Sequence, residues 1–151
     1  MKIYFLIFSL FSALILTAQQ NNPVFDQKLA DSLGADEYGM KNYYFVILKT
    51  GPTKLTDTAE INTIFRGHME NIFRLEKSGK LVVAGPFGKN EDGFRGLFII
   101  DAKSREEVLQ LLDTDPAIKQ KVFECDIYDW YGSAALPEYI EVHKKIEKKK
   151  P

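Results

Sequence analysis

The sequence predicts a single α+β domain built on one four-stranded antiparallel sheet. The chain has 151 residues, 45% of them hydrophobic, which is enough for one core of ordinary size. Along the chain, the spacing of the apolar residues changes between the alternation that is typical of strands and the period of about 3.6 residues that is typical of helices. These changes predict the order strand, helix, strand, strand, helix, strand.

The first strand and the first helix of this pattern follow each other closely. Residues 43–49 form a compact run of β-branched and aromatic side chains, which a Gly-Pro pair ends. Asp57 and Glu60 have the spacing of a helix-capping box, and apolar residues then recur at helical intervals. We therefore expect a helix over residues 57–79.

A hairpin, a second helix and a last strand complete the pattern. Strands are predicted at residues 81–87 and 94–100, joined by a turn-rich loop of sequence GKNEDG. Ser104 and Glu107 form a second capping box, which opens a helix with an apolar face. Residues 122–130 are then the fourth strand.

The order βαββαβ is that of the ferredoxin-like fold, in which right-handed crossovers place both helices on one face of the sheet. In the first predicted strand, the alternating sets of side chains at 43, 45, 47 and at 44, 46, 48 are both apolar, which indicates cover on both faces. Little other helix remains in the chain. We therefore expect the helix-free face to pack against a second copy, giving a homodimer.

The N-terminal residues 1–18 are predicted to be a cleavable signal peptide. Lys2 precedes an almost wholly apolar run at residues 3–16, which is shorter than the roughly 18 to 20 residues of a membrane-spanning helix, and the small Ala18 occupies a cleavage position. The mature protein is then expected to be periplasmic or secreted, with no membrane span. An uncleaved N-terminal anchor is the alternative.

Two further segments flank the predicted domain. Residues 19–41 are interpreted as a leader segment that contains one short amphipathic helix ending at Gly34, with no chemical role. Residues 133–151 are interpreted as a lysine-rich tail, in which residues 144–150 are a solvated, frayed helix end and His143 is expected to be mobile. The domain itself is expected at residues 42–132.

Composition excludes several kinds of partner and cofactor. The formal net charge is −1, so the chain lacks the basic excess that nucleic-acid binding needs. One cysteine, Cys125, allows no intrachain disulfide and is interpreted as an inert strand thiol, and two histidines are too few for a structural zinc site. No phosphate-binding glycine motif is present. We expect neither a metal nor an organic cofactor.

His68 and Asp115 are the candidate chemical groups. His68 falls in the middle of the apolar face of the first helix, where it is either a core histidine that donates an N–H to a carbonyl or a functional group with a partner. Asp115 precedes Pro116, which is the ordinary pattern of a helix N-cap followed by proline at the first helical position. Spacing alone leaves both alternatives open for each residue.

Several short motifs together resemble the YCII-related (YciI-like) family. They are a YFVILKTGP-like first strand, Gly67-His68-Met69 in the first helix, an Ala-Gly-Pro second strand, a serine-initiated second helix, and Asp115-Pro116, in that order over residues 43–131. The resemblance implies a dimeric α/β barrel assembly of ferredoxin-like subunits and a histidine–aspartate active site, which here is His68 with Asp115. It also implies small cyclic or lactone-like substrates, including dehalogenation and isomerisation chemistry.

Two functional hypotheses follow. In the first, the protein is an exported, cofactor-free enzyme in which His68 is a general acid/base and Asp115 orients it, acting on a small organic acid, a lactone or a halogenated ring. Gly85 and Pro86 would line the pocket, and Arg95 would hold an acidic group, unless it is a solvated strand-end arginine. In the second hypothesis, the protein is a non-catalytic dimeric module that binds a small ligand or a protein.

Overall fold

The structure, a computed structural model, describes residues 22–149. The predicted signal peptide, residues 1–18, lies outside the described residues. Among those described, no helix is both long and apolar enough to cross a membrane. The elements in chain order are α1 (Gln27–Leu33), β1 (Met40–Thr50), α2 (Thr58–Lys77), β2 (Leu81–Pro86), β3 (Phe94–Ile100), α3 (Arg105–Asp113), α4 (Pro116–Lys119), β4 (Phe123–Ser133), a 3-10 turn (Leu136–Glu138) and α5 (Tyr139–Ile146).

The four strands form one antiparallel sheet in the order β2-β3-β1-β4. This is the predicted α+β, ferredoxin-like arrangement, and the fold class is confirmed. β1 lies between β3 and β4, and Val46 is opposite both Phe98 and Ile127. β1 and β4 each extend to 11 residues because they pair along their whole length, from Met40 with Ser133 to Thr50 with Phe123.

The main core lies between the sheet and the helices. Even-numbered residues of β1 face this side, together with residues of β3, α2 and α3. The fully or almost fully buried members are Val46, Leu48, Ile64, Leu75, Leu81, Phe98, Ile100, Val108, Leu112 and Ala117. α2 therefore packs the face that carries Ile64, His68 and Leu75 against the sheet.

Both long helices begin at the predicted caps, with different partners from those of an ideal capping box. The Asp57 carboxylate accepts the N–H of Ala59 at 3.0 Å. The Ser104 hydroxyl accepts the N–H of Glu107 at 3.3 Å, while the Glu107 carboxylate reaches back to the N–H of Lys103 at 2.8 Å. Each acceptor satisfies an N–H that has no partner within its helix.

The C-terminal segment is helical from closer to β4 than the predicted frayed helix end at residues 144–150. After β4 the chain forms the 3-10 turn and α5, so His143 lies in a helix. Leu136 packs on a second cluster of buried residues, Tyr43, Val82 and Ile99, on the helix-free face. The prediction of a bare face was therefore wrong in part, because the segment after β4 places Leu136 of the 3-10 turn on that face.

The leader contains the predicted short helix, α1, which ends at Gly34 in the left-handed conformation with a φ of 68°. None of its residues is buried, and Val24, Phe25 and Leu29 are exposed. The following turn is held to β4, because the Asp36 carboxylate accepts a hydrogen bond from the Tyr131 hydroxyl. That bond is the main cause that lowers the pKa of Asp36.

Candidate active site

α2 and the sheet enclose the imidazole of His68 in an aromatic box. The ring stacks on Phe98 at 6.2 Å between centroids, with an angle of 25° between the planes. Phe123, at 5.3 Å, and Phe65, at 6.4 Å, meet it edge-on. The residue is 8% exposed, and these contacts fix the plane of the ring.

Asp115 supplies the partner of His68. Its side-chain oxygen Oδ2 lies 2.6 Å from Nδ1 of His68, and its other oxygen, Oδ1, accepts the N–H of Ala117 at 2.9 Å. Asp115 is fully buried. The two alternatives that spacing left open for this residue both hold, since one carboxylate oxygen caps α4 and the other contacts the histidine.

The pair defines the role of each imidazole nitrogen. A carboxylate can only accept hydrogen bonds, so neutral His68 carries its proton on Nδ1 and donates a hydrogen bond from this N–H to Asp115. Nε2 has no hydrogen-bond partner among residues 22–149, and no buried side-chain nitrogen or oxygen in that part of the chain lacks one. Nε2 is therefore accessible, with a free lone pair.

A polar network supports Asp115 from behind. Asn71, one helical turn after His68, is 6% exposed and points its amide nitrogen at Oδ2 of Asp115 from 3.5 Å. Its amide oxygen accepts bonds from Arg74 at 2.7 Å and from the Thr114 hydroxyl at 3.0 Å. Sequence reasoning missed these residues. The available signal was a polar asparagine on the same helical face as His68.

Gly67 allows α4 to approach α2. A Cβ atom at position 67 would lie 2.8 Å from Cγ of Pro116, which is too close for carbon atoms without displacement. Pro116 is the residue directly after Asp115, so this close approach brings the carboxylate next to His68. A glycine in the middle of a helix, where it is intrinsically unfavourable, was the missed signal.

His68 faces a cleft of about 1210 Å³ with mostly apolar walls. Gly85, Pro86 and Arg95, which the sequence analysis singled out, all line it. Nε of Arg95 donates to the Thr50 hydroxyl at 2.6 Å. A Cβ at Gly85 would meet nothing within 4 Å, so packing within the chain does not require glycine there. α5 forms a wall of the cleft that the sequence analysis did not anticipate.

The remaining reactive groups offer less chemistry. Burial, followed by the negative charge of Asp115, raises the pKa of the Cys125 thiol to about 12, so this thiol is not a nucleophile near neutral pH. Within residues 22–149, no group of three or more His, Cys, Asp or Glu side chains is placed to hold a metal ion.

The part of the chain that matches a known family is nearly the part that contains the sheet, residues 40–133. Residues 42–131 match the sequence model of the YCII-related domain. Among solved structures, the chain is similar to the 5-chloro-2-hydroxyhydroquinone dehydrochlorinase of Burkholderia phenoliruptrix in complex with 2,5-dihydroxybenzoquinone, at 21% identity and a TM-score of 0.42, over 58% of this chain and 92% of that one. None of the curated proteins compared matches. Because the family match spans more than half of the chain, the protein belongs to the YCII-related domain family.

Proposed function

We propose that the protein is an enzyme that performs general acid/base chemistry on a small organic molecule with His68 and Asp115. One observation carries the proposal: the buried bond of 2.6 Å between Nδ1 of His68 and Oδ2 of Asp115 leaves Nε2 free at an open cleft. A histidine placed only for packing would need neither a buried carboxylate nor an accessible second nitrogen. Membership of the YCII-related family supports the same assignment.

The pair suits proton transfer to and from carbon or oxygen. Nε2 of His68 accepts a proton from the substrate, and the Asp115 carboxylate stabilises the imidazolium that forms. If the electron pair left on the substrate expels a halide, the result is elimination of HX with a new double bond. If the imidazolium returns the proton at a neighbouring atom, the result is isomerisation. Both reactions need no cofactor.

The surrounding residues fit an acidic, ring-containing substrate. The three phenylalanine rings around His68 offer apolar and aromatic contact and limit the access of water. Arg95 supplies a cation at the cleft. These features favour small organic acids, lactones and halogenated rings as substrates.

The test is a turnover screen of such compounds in D2O, which detects both chloride release and deuterium incorporation at carbon. We expect His68→Gln and Asp115→Asn each to lower turnover by about 10²–10⁴-fold, the usual contribution of general acid/base catalysis. Asp113→Asn is the matched control for Asp115, because Asp113 is an exposed carboxylate two residues earlier, at the end of α3.

Equal turnover by the wild type and the His68→Gln variant would overturn the assignment. Saturable binding of several compounds without turnover or deuterium exchange would instead support the alternative, a non-catalytic binding module.

We also propose that the protein is a homodimer through the helix-free face of the sheet. Phe45, Leu97 and Trp130 are only half-buried there, and Tyr128, opposite Phe45 on β4, is 51% exposed. Sedimentation at micromolar concentration should give twice the monomer mass, and Tyr128→Glu should give a monomer. Tyr38→Glu, at an exposed turn residue, is the control. A wild-type monomer would contradict the proposal.

Finally, we propose that the protein is exported and that residues 1–18 are removed. The support is the short apolar run after Lys2 and the small residue Ala18. Mass spectrometry of the protein from the periplasmic or secreted fraction should find an N-terminus at Gln19 or Gln20. A chain that keeps Met1 and sediments with membranes would indicate an anchor instead.

A further inference from the structure

The cleft beside His68 extends along most of the length of α2. Residues of α2 line it from Ile61 to Glu76, which are about 22 Å apart along a helix axis that rises 1.5 Å per residue. Residues 81–87, in β2 and directly after it, form the facing wall. Its volume, about 1210 Å³, exceeds the roughly 300–1,000 Å³ of an ordinary small-molecule pocket.

The two ends of the cleft are identified by the connection between α2 and β2. β2 begins four residues after α2 ends, so Glu76 of α2 and Leu81 of β2 lie at the same end of the cleft. α5 lies at this end as well. Phe87 and Arg95 lie at the opposite end of the cleft, near Ile61. The backbone N–H of Phe87 donates a hydrogen bond of 2.9 Å to the carbonyl of Arg95. His68 lies between, about 10 Å along the axis from Ile61.

Between the ends, the walls are almost wholly apolar. The lining side chains near His68 include Phe65, Met69, Ile72, Val83 and Phe98. α5 adds Tyr139 and Ile140 at the far end and is held there by the Tyr139 hydroxyl, which donates to the carbonyl of Val82 at 2.9 Å. α5 lies beyond residues 42–131, so this wall is an addition to the family domain.

The end at Ile61 carries positive charge. Nε of Arg95 is bonded to the hydroxyl of Thr50, and Nζ of Lys54 lies 3.4 Å from the carbonyl oxygen of Gly51. The two cationic side chains are thus held next to each other, because Thr50 and Gly51, which they contact, are consecutive residues. Neither forms an ion pair with an acidic side chain within residues 22–149. The far end is of mixed sign, with Glu76 and Glu147 near Lys144.

We propose that the cleft binds an elongated apolar carboxylic acid, such as a fatty acid, with the carboxylate at Lys54 and Arg95 and the chain extending past His68 toward α5. The charge at one end selects an anion, and the apolar length of the cleft selects an extended body. The inference deepens the proposed function, on which it rests for the chemistry at His68. It adds that the reacting atoms lie along the chain of the ligand rather than at its carboxylate.

The test is calorimetric binding to the full-length protein of hexanoate, decanoate and tetradecanoate, with decylamine as the cationic probe, all below their micelle concentrations. We expect affinity to rise with chain length and decanoate to bind at least about tenfold more tightly than decylamine. The double variant Lys54→Gln/Arg95→Gln should lose about tenfold or more of the decanoate affinity. Lys77→Gln/Lys89→Gln makes the same charge change at exposed residues outside the cleft and should bind decanoate as the wild type does.

A second variant tests the path of the chain. Met69→Trp fills the cleft next to His68, so it should weaken tetradecanoate binding by tenfold or more and leave hexanoate binding unchanged. Absence of saturable binding by all three acids, equal binding of decanoate and decylamine, or no effect of the Lys54→Gln/Arg95→Gln change would each overturn the inference.

The inference and the proposed function fail in different ways. His68→Gln removes the proposed base, but the two cations and the apolar walls remain, so decanoate should still bind. Binding without turnover of any compound would remove the enzyme assignment and keep the ligand class. Turnover of small rings without any binding of the acids would keep the enzyme assignment and remove the ligand class.

Discussion

Asp115 performs two structural tasks with one side chain. Oδ1 caps α4 by accepting a hydrogen bond from the N–H of Ala117, and Oδ2 accepts a hydrogen bond from Nδ1 of His68. Asn71 directs an N–H at Oδ2 as well. The buried carboxylate therefore meets donors from three residues, as a buried polar group requires.

Substitutions at Asp115 should separate these two tasks. In Asp115→Asn the amide oxygen still caps α4, since asparagine is a good N-cap, but the amide NH2 then faces Nδ1 and moves the imidazole proton to Nε2. Nitrogen-15 NMR of the ring should show this change of tautomer. Asp115→Ala should in addition lose about 0.5–2 kcal/mol of stability with the cap. A variant Asp115→Asn that keeps the proton on Nδ1 would contradict the assignment of the bond.

Gly67 should resist replacement although alanine favours helices. Gly→Ala inside a helix normally gains about 1 kcal/mol, but here the added Cβ would lie 2.8 Å from Cγ of Pro116. We expect Gly67→Ala to destabilise the protein in urea unfolding. In a Pro116→Ala background, where Cγ is absent, the same change should become neutral or stabilising. The same loss in both backgrounds would show that the contact is not the cause.

At the scale of elements, α2 is the helix on which the site depends. One of its faces carries Ile64, His68, Asn71 and Leu75, so a single helical stripe contributes both to the core and to the polar network. α4 is a single turn, and its position depends on Asp115 and on contact with α2. α5 differs from both of these helices, because, like α1, it has no buried residue.

α5 should therefore open more readily than α2 or α3, which have buried faces. The bond from the Tyr139 hydroxyl to Val82 joins it to β2, so Tyr139→Phe should remove about 0.5–1.5 kcal/mol from its local stability. Hydrogen exchange of the amides at 139–146 should accelerate about three- to tenfold in this variant. Exchange in β1 should stay unchanged, and Tyr38→Phe, at an exposed residue, should have no effect. Unchanged exchange in α5 would mean that the bond does not hold the helix.

For the whole molecule, stability should fall at alkaline pH. Burial raises the pKa of Tyr43 and of Cys125 to about 12 in the folded protein, from ordinary values of 10.0 and 9.0. Between about pH 9 and 12 the unfolded chain loses protons that the folded chain keeps, so the free energy of unfolding decreases as pH rises. Urea midpoints at pH 7, 9, 10 and 11 measure this.

Cys125→Ala provides the control for the alkaline effect. Without the thiol, the decrease should begin about one pH unit higher, where the tyrosines whose pKa is raised in the folded protein, Tyr43, Tyr131 and Tyr139, start to titrate in the unfolded chain. A wild-type midpoint that stays constant from pH 7 to 11 would contradict the prediction.

The sequence by itself determined the fold class and the elements near the site. Strands apolar on both faces, two capped helices and glycine-rich turns are local patterns, and all of them are found within a few residues of the predicted positions. The chemical candidates could also be named, His68 from its place on an apolar helical face and Asp115 from the resemblance to the YCII-related family, since an aspartate before a proline is by itself an ordinary N-cap.

Only the tertiary structure decided how these candidates meet. His68 and Asp115 are 47 positions apart, and no local pattern encodes a contact at that separation. The same holds for the glycine contact between α2 and α4 and for the support from Asn71. It holds for α5 as well, which lines the cleft and donates a hydrogen bond from Tyr139 to β2. Local periodicity reports which face of an element is apolar, whereas the partner of that face depends on chain topology, which brings distant residues together.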